Sequence, residues 1–283
     1  MLQIFTAGIL WGTIGVFVKS LASLGADSAV TCFLRMASAF LIMLTVSVIR
    51  HGRGAIIRDK RTLIFCVLLG LVSHGIFNVF YTSSIKINGM GIACVLMYTA
   101  PVFTAVASGI IFHEKFPLLK IFALILNIAG CILTVTGGDF SGGNISMAGI
   151  FAGLGTGFCY GMAAVFGRLA GEKTDSLTMS AHSYFAAMLF LALYMRPDLS
   201  AVNTGILGLG FLYGLIPTSL AYVVYYNGIR SVPDTGKVPV IASVEPVAAV
   251  IIGMTVYGEE IGAANFVGVA VVLISIIIMS KAE

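Results

Sequence analysis

The sequence predicts an all-α transmembrane protein whose ten helices form two inverted five-helix repeats. Three observations support this fold class. Apolar residues make up 59% of the 283-residue chain and charged residues only 10%, whereas a soluble protein of this length needs a larger charged surface. The apolar residues fall into runs of the length that crosses a bilayer as a helix, which is about 20 residues. Finally, the two halves of the chain repeat the same residue pattern.

The apolar runs are separated by short polar breaks that contain turn-forming residues, such as HGRG near residue 51 and TGGDFSGG near residue 136. The predicted spans are 3–21, 29–49, 62–85, 90–112, 118–136, 147–169, 177–195, 204–229, 235–257 and 261–280. The first residues contain no Lys or Arg, so they lack the basic region of a signal peptide and are expected to form the first span. None of the breaks is long enough for a domain linker.

Lysine and arginine residues in the breaks predict the orientation, because cytoplasmic loops carry an excess of them. With both termini inside, the inner face holds Arg50, Arg53, Arg58, Lys60, Arg61, Lys115, Lys120, Arg168, Lys173, Arg230, Lys237 and Lys281. The outer face holds only Lys19, Lys86 and Arg196. We therefore expect a multi-pass protein of the cell inner membrane with cytoplasmic N- and C-termini. The net charge of +4 reflects this topology and does not indicate nucleic-acid binding.

Motifs of soluble enzymes are absent from the sequence. The five cysteines fall inside apolar runs without metal-binding spacing. His113 and Glu114 lack the second histidine of a zinc protease, and Lys237 lacks the glycine pattern of a phosphate-binding loop. No catalytic residue, metal or cofactor is therefore expected.

The internal repeat is the most informative feature. Residues 80–115 align without a gap with residues 225–260. The matched pairs are Tyr81 with Tyr226, Gly91 with Gly236, Val95 with Val240, Pro101 with Pro246, Val102 with Val247 and Glu114 with Glu259. Upstream, a second alignment matches Gly8, Trp11, Gly12, Phe17 and Lys19 with Gly157, Tyr160, Gly161, Phe166 and Arg168.

These matches divide the chain into two five-helix units, residues 1–140 and 141–283. Because five is an odd number, the second unit must enter the membrane in the opposite direction. Inverted repeats are the architecture of alternating-access transporters, whose substrate site lies near the bilayer midplane between the repeats. A duplicated structural bundle, a receptor or a scaffold that transports nothing is the alternative.

The sequences LMYTAPVFTAVASGIIFHEK and VEPVAAVIIGMTVYGEE, together with LWG in span one and CYG in span six, resemble the EamA-type branch of the drug/metabolite transporter superfamily. The resemblance covers essentially the whole chain. It implies a ten-helix secondary carrier, in many bacterial members an exporter of amino acids or other metabolites. Import of an amine or another metabolite by the same fold remains an alternative, and the resemblance does not name the solute.

Two charged residues lie within the apolar spans and away from their ends, Arg35 in span two and Glu245 in span nine. A central charge costs about 2.5–3.5 kcal/mol on insertion scales, and such residues usually face a cavity or a partner. Glu245 could bind a cationic or amine group, bind a coupling proton, or have a structural role. Arg35 could hold a substrate carboxylate through two parallel hydrogen bonds, extend towards the interface, or pair with Glu245.

Further candidates for substrate binding are polar or aromatic residues near midplane. With the two charged residues, the set is Trp11, Arg35, His74, Asn78, Tyr81, Tyr98, Tyr160, His182, Tyr222 and Glu245. Three of them follow one face of span three at i, i+4 and i+7. Helix packing is the alternative role for each aromatic or histidine side chain.

Three prolines are mid-span, namely Pro101, Pro217 and Pro246. Each leaves the carbonyl four residues earlier without its helical hydrogen bond. In a bilayer, protein, water or a ligand must satisfy such a carbonyl. We therefore expect kinks at these prolines, which could act as gates during transport.

Overall fold

The computed structural model describes residues 1–139, 146–258 and 262–282, and the regular structure within these ranges is helical. Ten helices in the described ranges are long and apolar enough to cross a membrane. Spans one to ten are Leu2–Ser23, Ser28–Ala55, Lys60–Asn88, Met90–Phe112, Leu118–Thr136, Met147–Gly171, Ser176–Met195, Thr204–Arg230, Thr235–Tyr257 and Ala263–Lys281. The predicted ten-helix fold class is confirmed. The largest boundary difference is the end of span two, at Ala55 rather than residue 49.

Aspartate side chains begin three of the spans, because a carboxylate can accept the free N–H groups of a first helical turn. Asp27 accepts from the N–H of Val30 at 2.7 Å, and Asp59 accepts from the N–H of Thr62 at 3.0 Å. Asp175 begins span seven in the same way. Hydrogen bonds from Thr62 also lower the pKa of the Asp59 carboxyl. These caps define where the three helices begin.

Spans three, four, eight and nine depart from regular α-helix in two pairs, and the members of each pair lie five spans apart. Spans three and eight contain π-helical segments, Leu69–Ile76 and Leu215–Leu220. Span four is interrupted at Tyr98 and span nine at Ser243, which occupy matching positions in the ungapped alignment. Such irregular turns often occur at functional sites.

The three mid-span prolines coincide with these irregular places. Pro101 lies in the first turn of Ala100–Phe112, and Pro246 lies in the first turn of Val244–Tyr257. Pro217 lies inside the π-helical segment of span eight. The prolines therefore accompany breaks in the helices, and their role as gates stays a prediction.

Several helices of each half of the chain pack against helices of the other half. Span one packs against spans eight and nine, and span six packs against spans three and four. Span two packs on span seven, and span five on span ten. The pattern repeats five spans along the chain. The contacts of span one with spans eight and nine correspond to those of span six with spans three and four. The division at residue 140 and the inverted orientation stay predictions, and Glu259, the match of Glu114, lies outside the described residues.

Span one approaches the broken backbone of span nine at a glycine. A Cβ at Gly8 would lie 2.6 Å from the carbonyl oxygen of Ala242, so any side chain there forces the two helices apart. We expect Gly8→Ala to destabilise the fold by about 1–3 kcal/mol, as overpacking does. Gly15, in the same span, has no atom within 4 Å of a Cβ placed on it.

Thermal unfolding of the purified protein in one detergent checks this prediction, with Gly15→Ala as the matched control. The control should unfold at the wild-type temperature or above it. Equal unfolding temperatures for the two variants would contradict the close approach of spans one and nine.

Candidate functional site

A cavity of about 200 Å³ lies between spans one to four and is also lined by Tyr213 of span eight and Glu245 of span nine. Its mouth is at the end of the molecule where spans one and two are joined, and Ala26, Ser28 and Thr82 line both this mouth and a wider vestibule of about 580 Å³. The cavity is smaller than the roughly 300–1,000 Å³ of drug-sized ligand sites. It therefore suits a small solute.

Arg35 lines this cavity and is almost fully buried, with 6% of its surface exposed. Its Nε donates to Oγ1 of Thr218 at 2.8 Å, and that hydroxyl donates to the carbonyl oxygen of Tyr213 at 3.0 Å. This carbonyl is the one that Pro217 leaves without its helical partner. The guanidinium carbon also lies 4.9 Å from the centre of the Tyr213 ring. Span eight thus holds Arg35 in place through its irregular segment.

Glu245 lines the same cavity and is only partly buried. Its Oε2 accepts a hydrogen bond from the hydroxyl of Tyr160 at 2.8 Å. Arg35 and Glu245, both within the described part of the chain, form no ion pair with each other, and each is hydrogen-bonded to a different partner. The cavity therefore has one positive and one negative group in its wall.

Trp11 and Tyr222 lie together in an aromatic cluster next to this site. The ring of Trp11 contacts Tyr222 and Tyr225 at centroid distances of 4.9 Å and Tyr160 at 6.1 Å. Trp11 is buried, and its Nε1 has no hydrogen-bond partner among the described residues. The aromatic cluster leaves this tryptophan donor unsatisfied in the present conformation.

The three residues of span three are divided between the cluster and the cavity. His74 is buried, with Nε2 3.3 Å from the hydroxyl of Tyr226 and its ring 4.7 Å from that of Tyr222. Asn78 and Tyr81 line the cavity, and Asn78 also donates to the carbonyl of His74. The predicted common face is thus split, and only two of its members reach the cavity.

Two predicted site residues belong neither to the cavity wall nor to the aromatic cluster. His182 faces a shallow surface groove with Phe40 and Phe185, and its Nδ1 is 2.8 Å from the carbonyl oxygen of Thr178 in its own helix. Tyr98 is buried in an apolar cluster at the interruption of span four. Neither residue is brought into contact with the space between Arg35 and Glu245.

Thr218 and Tyr213 were not among the predicted site residues, although both bear on Arg35. The available signal was Pro217, since a hydroxyl beside a proline can satisfy the carbonyl that the proline frees. Across the residues that the structure describes, no group of three or more His, Cys, Asp and Glu side chains is arranged to hold a metal ion.

Ten apolar helices and a cavity with two opposite charges are the features of a multi-pass membrane transporter. The family description that matches the sequence is the EamA-like transporter family, over residues 1–136 and 147–281. The chain belongs to this family.

Similar proteins match most of the chain. An uncharacterized transporter of Archaeoglobus fulgidus is 25% identical over 276 residues, which are 97% of this chain and 94% of that protein. The threonine/homoserine exporter RhtA of Salmonella typhimurium is 27% identical over 250 residues, which are 86% of this chain and 78% of RhtA. A solved crystal structure shares the fold, with a TM-score of 0.82 at 15% identity, covering 99% of this chain and 97% of that chain.

Proposed function

We propose that this protein is a secondary transporter that exports a small amino acid or a closely related metabolite by alternating access. The observation that carries the proposal is the presence of Arg35 and Glu245 in the wall of one small cavity. An amino acid is a zwitterion, so it offers a carboxylate to the guanidinium and an ammonium to the carboxylate. The name of the exporter RhtA, which is 27% identical to this chain, agrees with such a solute.

In this proposal the two charges act at opposite ends of the solute. The guanidinium of Arg35 keeps donors beyond the Nε–Thr218 bond and can bind both oxygens of a carboxylate. Glu245 binds the ammonium, with the Tyr160 hydroxyl holding the carboxylate in position. The cavity volume of about 200 Å³ favours a short side chain on the solute.

Coupling to protons follows from the same carboxylate. Glu245 can hold either an ammonium group or a proton, and competition between the two exchanges solute for proton across the membrane. We propose, from the distribution of lysine and arginine, that both termini are in the cytoplasm of the cell and that the cavity mouth faces outside. Import is the alternative direction, because a secondary carrier is reversible.

Reconstitution into proteoliposomes tests the proposal. We expect vesicles to exchange radiolabelled threonine or homoserine faster than empty vesicles, and an opposing pH gradient to drive accumulation. A panel of amino acids and amines should be compared, with excess unlabelled solute as the control for saturation. If no member of the panel moves faster than in empty vesicles, the proposed transport is wrong.

A further inference from the structure

A network of charged side chains joins the two halves of the chain at the face opposite the cavity mouth. Its centre is Glu114, which follows the end of span four. Oε1 of Glu114 accepts from the N–H of Thr235 at 2.7 Å, and Oε2 accepts from the N–H of Gly236 at 3.0 Å. The carboxylate thus satisfies the free N–H groups at the beginning of span nine. Arg168 of span six also donates to Oε1, at 2.6 Å.

The cations of this network hold the same loop. Arg168 additionally donates to Oγ1 of Thr235 at 2.5 Å and to the carbonyl of Pro233 at 3.0 Å. Lys120 of span five is 99% buried, and its Nζ donates to Oδ1 of Asp234 at 2.7 Å. The same Nζ lies 3.9 Å from the Glu114 carboxylate.

The Glu114 carboxyl is held in its charged form. Burial by itself raises its pKa, but hydrogen bonds from the backbone N–H groups of Thr235 and Gly236 outweigh burial and lower the pKa to about 2. The Glu114 carboxyl is therefore ionised at neutral pH. Breaking it would leave partly buried charges without partners, which is expensive in a low-dielectric environment.

Between this network and the cavity, aromatic side chains fill the space. Tyr225 and Tyr226 are buried with 2% and 1% of their surfaces exposed, and the rings of Trp11, Tyr222 and Tyr225 are in contact. Opening this side of the molecule requires span four and the start of span nine to separate. Such a movement must first break the bonds of Glu114 to Thr235 and Gly236.

We propose that Glu114, Lys120, Arg168 and Asp234 form a latch that keeps the transport pathway closed on the face opposite the cavity mouth. The inference rests on the proposed alternating access, since a protein that never opened this face would need no latch. The latch joins Glu114 and Lys120 of the first half to Arg168 and Asp234 of the second. Its release allows the two halves to separate at this end.

A distance measurement tests the latch without any substrate. Spin labels are placed at the exposed positions Lys115 and Ser231, in a cysteine-free background reconstituted in lipid nanodiscs, and distances are measured by double electron–electron resonance. Glu114→Gln should raise the ratio of long to short distances about tenfold, equivalent to about 1.4 kcal/mol. Glu172→Gln, at an exposed carboxylate after span six, is the matched control and should keep the wild-type distribution.

If Glu114→Gln does not fold, a second variant still tests the latch. Arg168→Gln removes the other side of the central ion pair at a side chain that is 31% exposed, so a smaller effect on folding is expected. Wild-type distances in every latch variant that folds would overturn the latch. The two failures are distinguishable. If the wild-type protein shows no flux but Glu114→Gln still lengthens the distances, the latch is retained and the transport proposal is refuted.

Discussion

Replacing Glu245 with Gln is expected to abolish accumulation driven by a pH gradient, while solute exchange continues at lower affinity. Gln has the same size, and its amide oxygen can still accept from Tyr160, whose hydroxyl lies 2.8 Å from the Glu245 carboxylate. What is lost is the negative charge, so the side chain cannot bind a coupling proton and holds an ammonium group only weakly, through its amide oxygen. Exchange of one solute molecule for another moves no net proton and does not need the protonation step.

Radiolabel flux in proteoliposomes, with and without an imposed pH gradient, measures both activities. Tyr160→Phe is the matched control, because it removes the hydrogen bond but keeps the carboxylate, and it should retain the response to the gradient. A wild-type gradient response in Glu245→Gln would exclude Glu245 as the proton site. Loss of both activities with a lowered unfolding temperature would instead indicate a structural carboxylate.

The order and length of the spans could be predicted from the sequence because hydrophobicity alone decides which segments enter a bilayer. The rotation of each helix about its axis could not. In a soluble helix the polar stripe marks the outer face, but here both the lipid-facing and the buried faces are apolar. His182 shows the consequence, since the carbonyl of Thr178 in its own helix occupies its Nδ1 and the ring can face a surface groove.

The irregular turn of span three was a second feature that the sequence did not predict, and it changes which residues share a helix face. His74, Asn78 and Tyr81 share one face only if span three is α-helical throughout, which the spacing argument assumed. The π-helical segment Leu69–Ile76 widens the turn that contains His74 and changes its angular position relative to the two residues after it. His74 therefore joins the aromatic cluster, and Asn78 and Tyr81 reach the cavity.

Contacts between segments that are distant in the sequence could not be predicted either, because they form only when the helices pack. The prolines predicted broken helices, and the helices are interrupted or widened at these places. The partner of the carbonyl that Pro217 frees could not be predicted, because the hydroxyl of Thr218 meets Arg35 only after spans two and eight have packed. The latch around Glu114 has the same origin: the repeat drew attention to Glu114 and Arg168 separately, and folding brings them within 2.6 Å.

Replacing Arg35 with Gln should lower the affinity for the solute more than replacing Glu245 with Gln does. Removing one partner of a buried, hydrogen-bonded charge pair costs about 2–5 kcal/mol, which corresponds to a loss of affinity of roughly 30- to 4,000-fold. Arg35→Lys keeps the charge but not the planar fork, and it cannot reproduce the geometry of the bond between Nε and Thr218. We therefore expect Lys to recover only part of the loss. Thermal shifts of the purified protein with increasing solute measure the affinities.

The comparison that decides the role of Arg35 uses two solutes, an amino acid and the amine that lacks its carboxylate. If Arg35 binds the carboxylate, Arg35→Gln lowers the affinity for the amino acid. The affinity for the amine stays within about twofold of the wild-type value, because the amine never made that contact. An arginine that only supports the helices would change both affinities equally or neither. Thr218→Val, which removes the hydroxyl that holds Nε, should give a smaller loss with the same selectivity, because the guanidinium remains but is less well positioned. Equal losses for the two solutes in both variants would exclude Arg35 as the carboxylate-binding residue and make it a packing residue of spans two and eight.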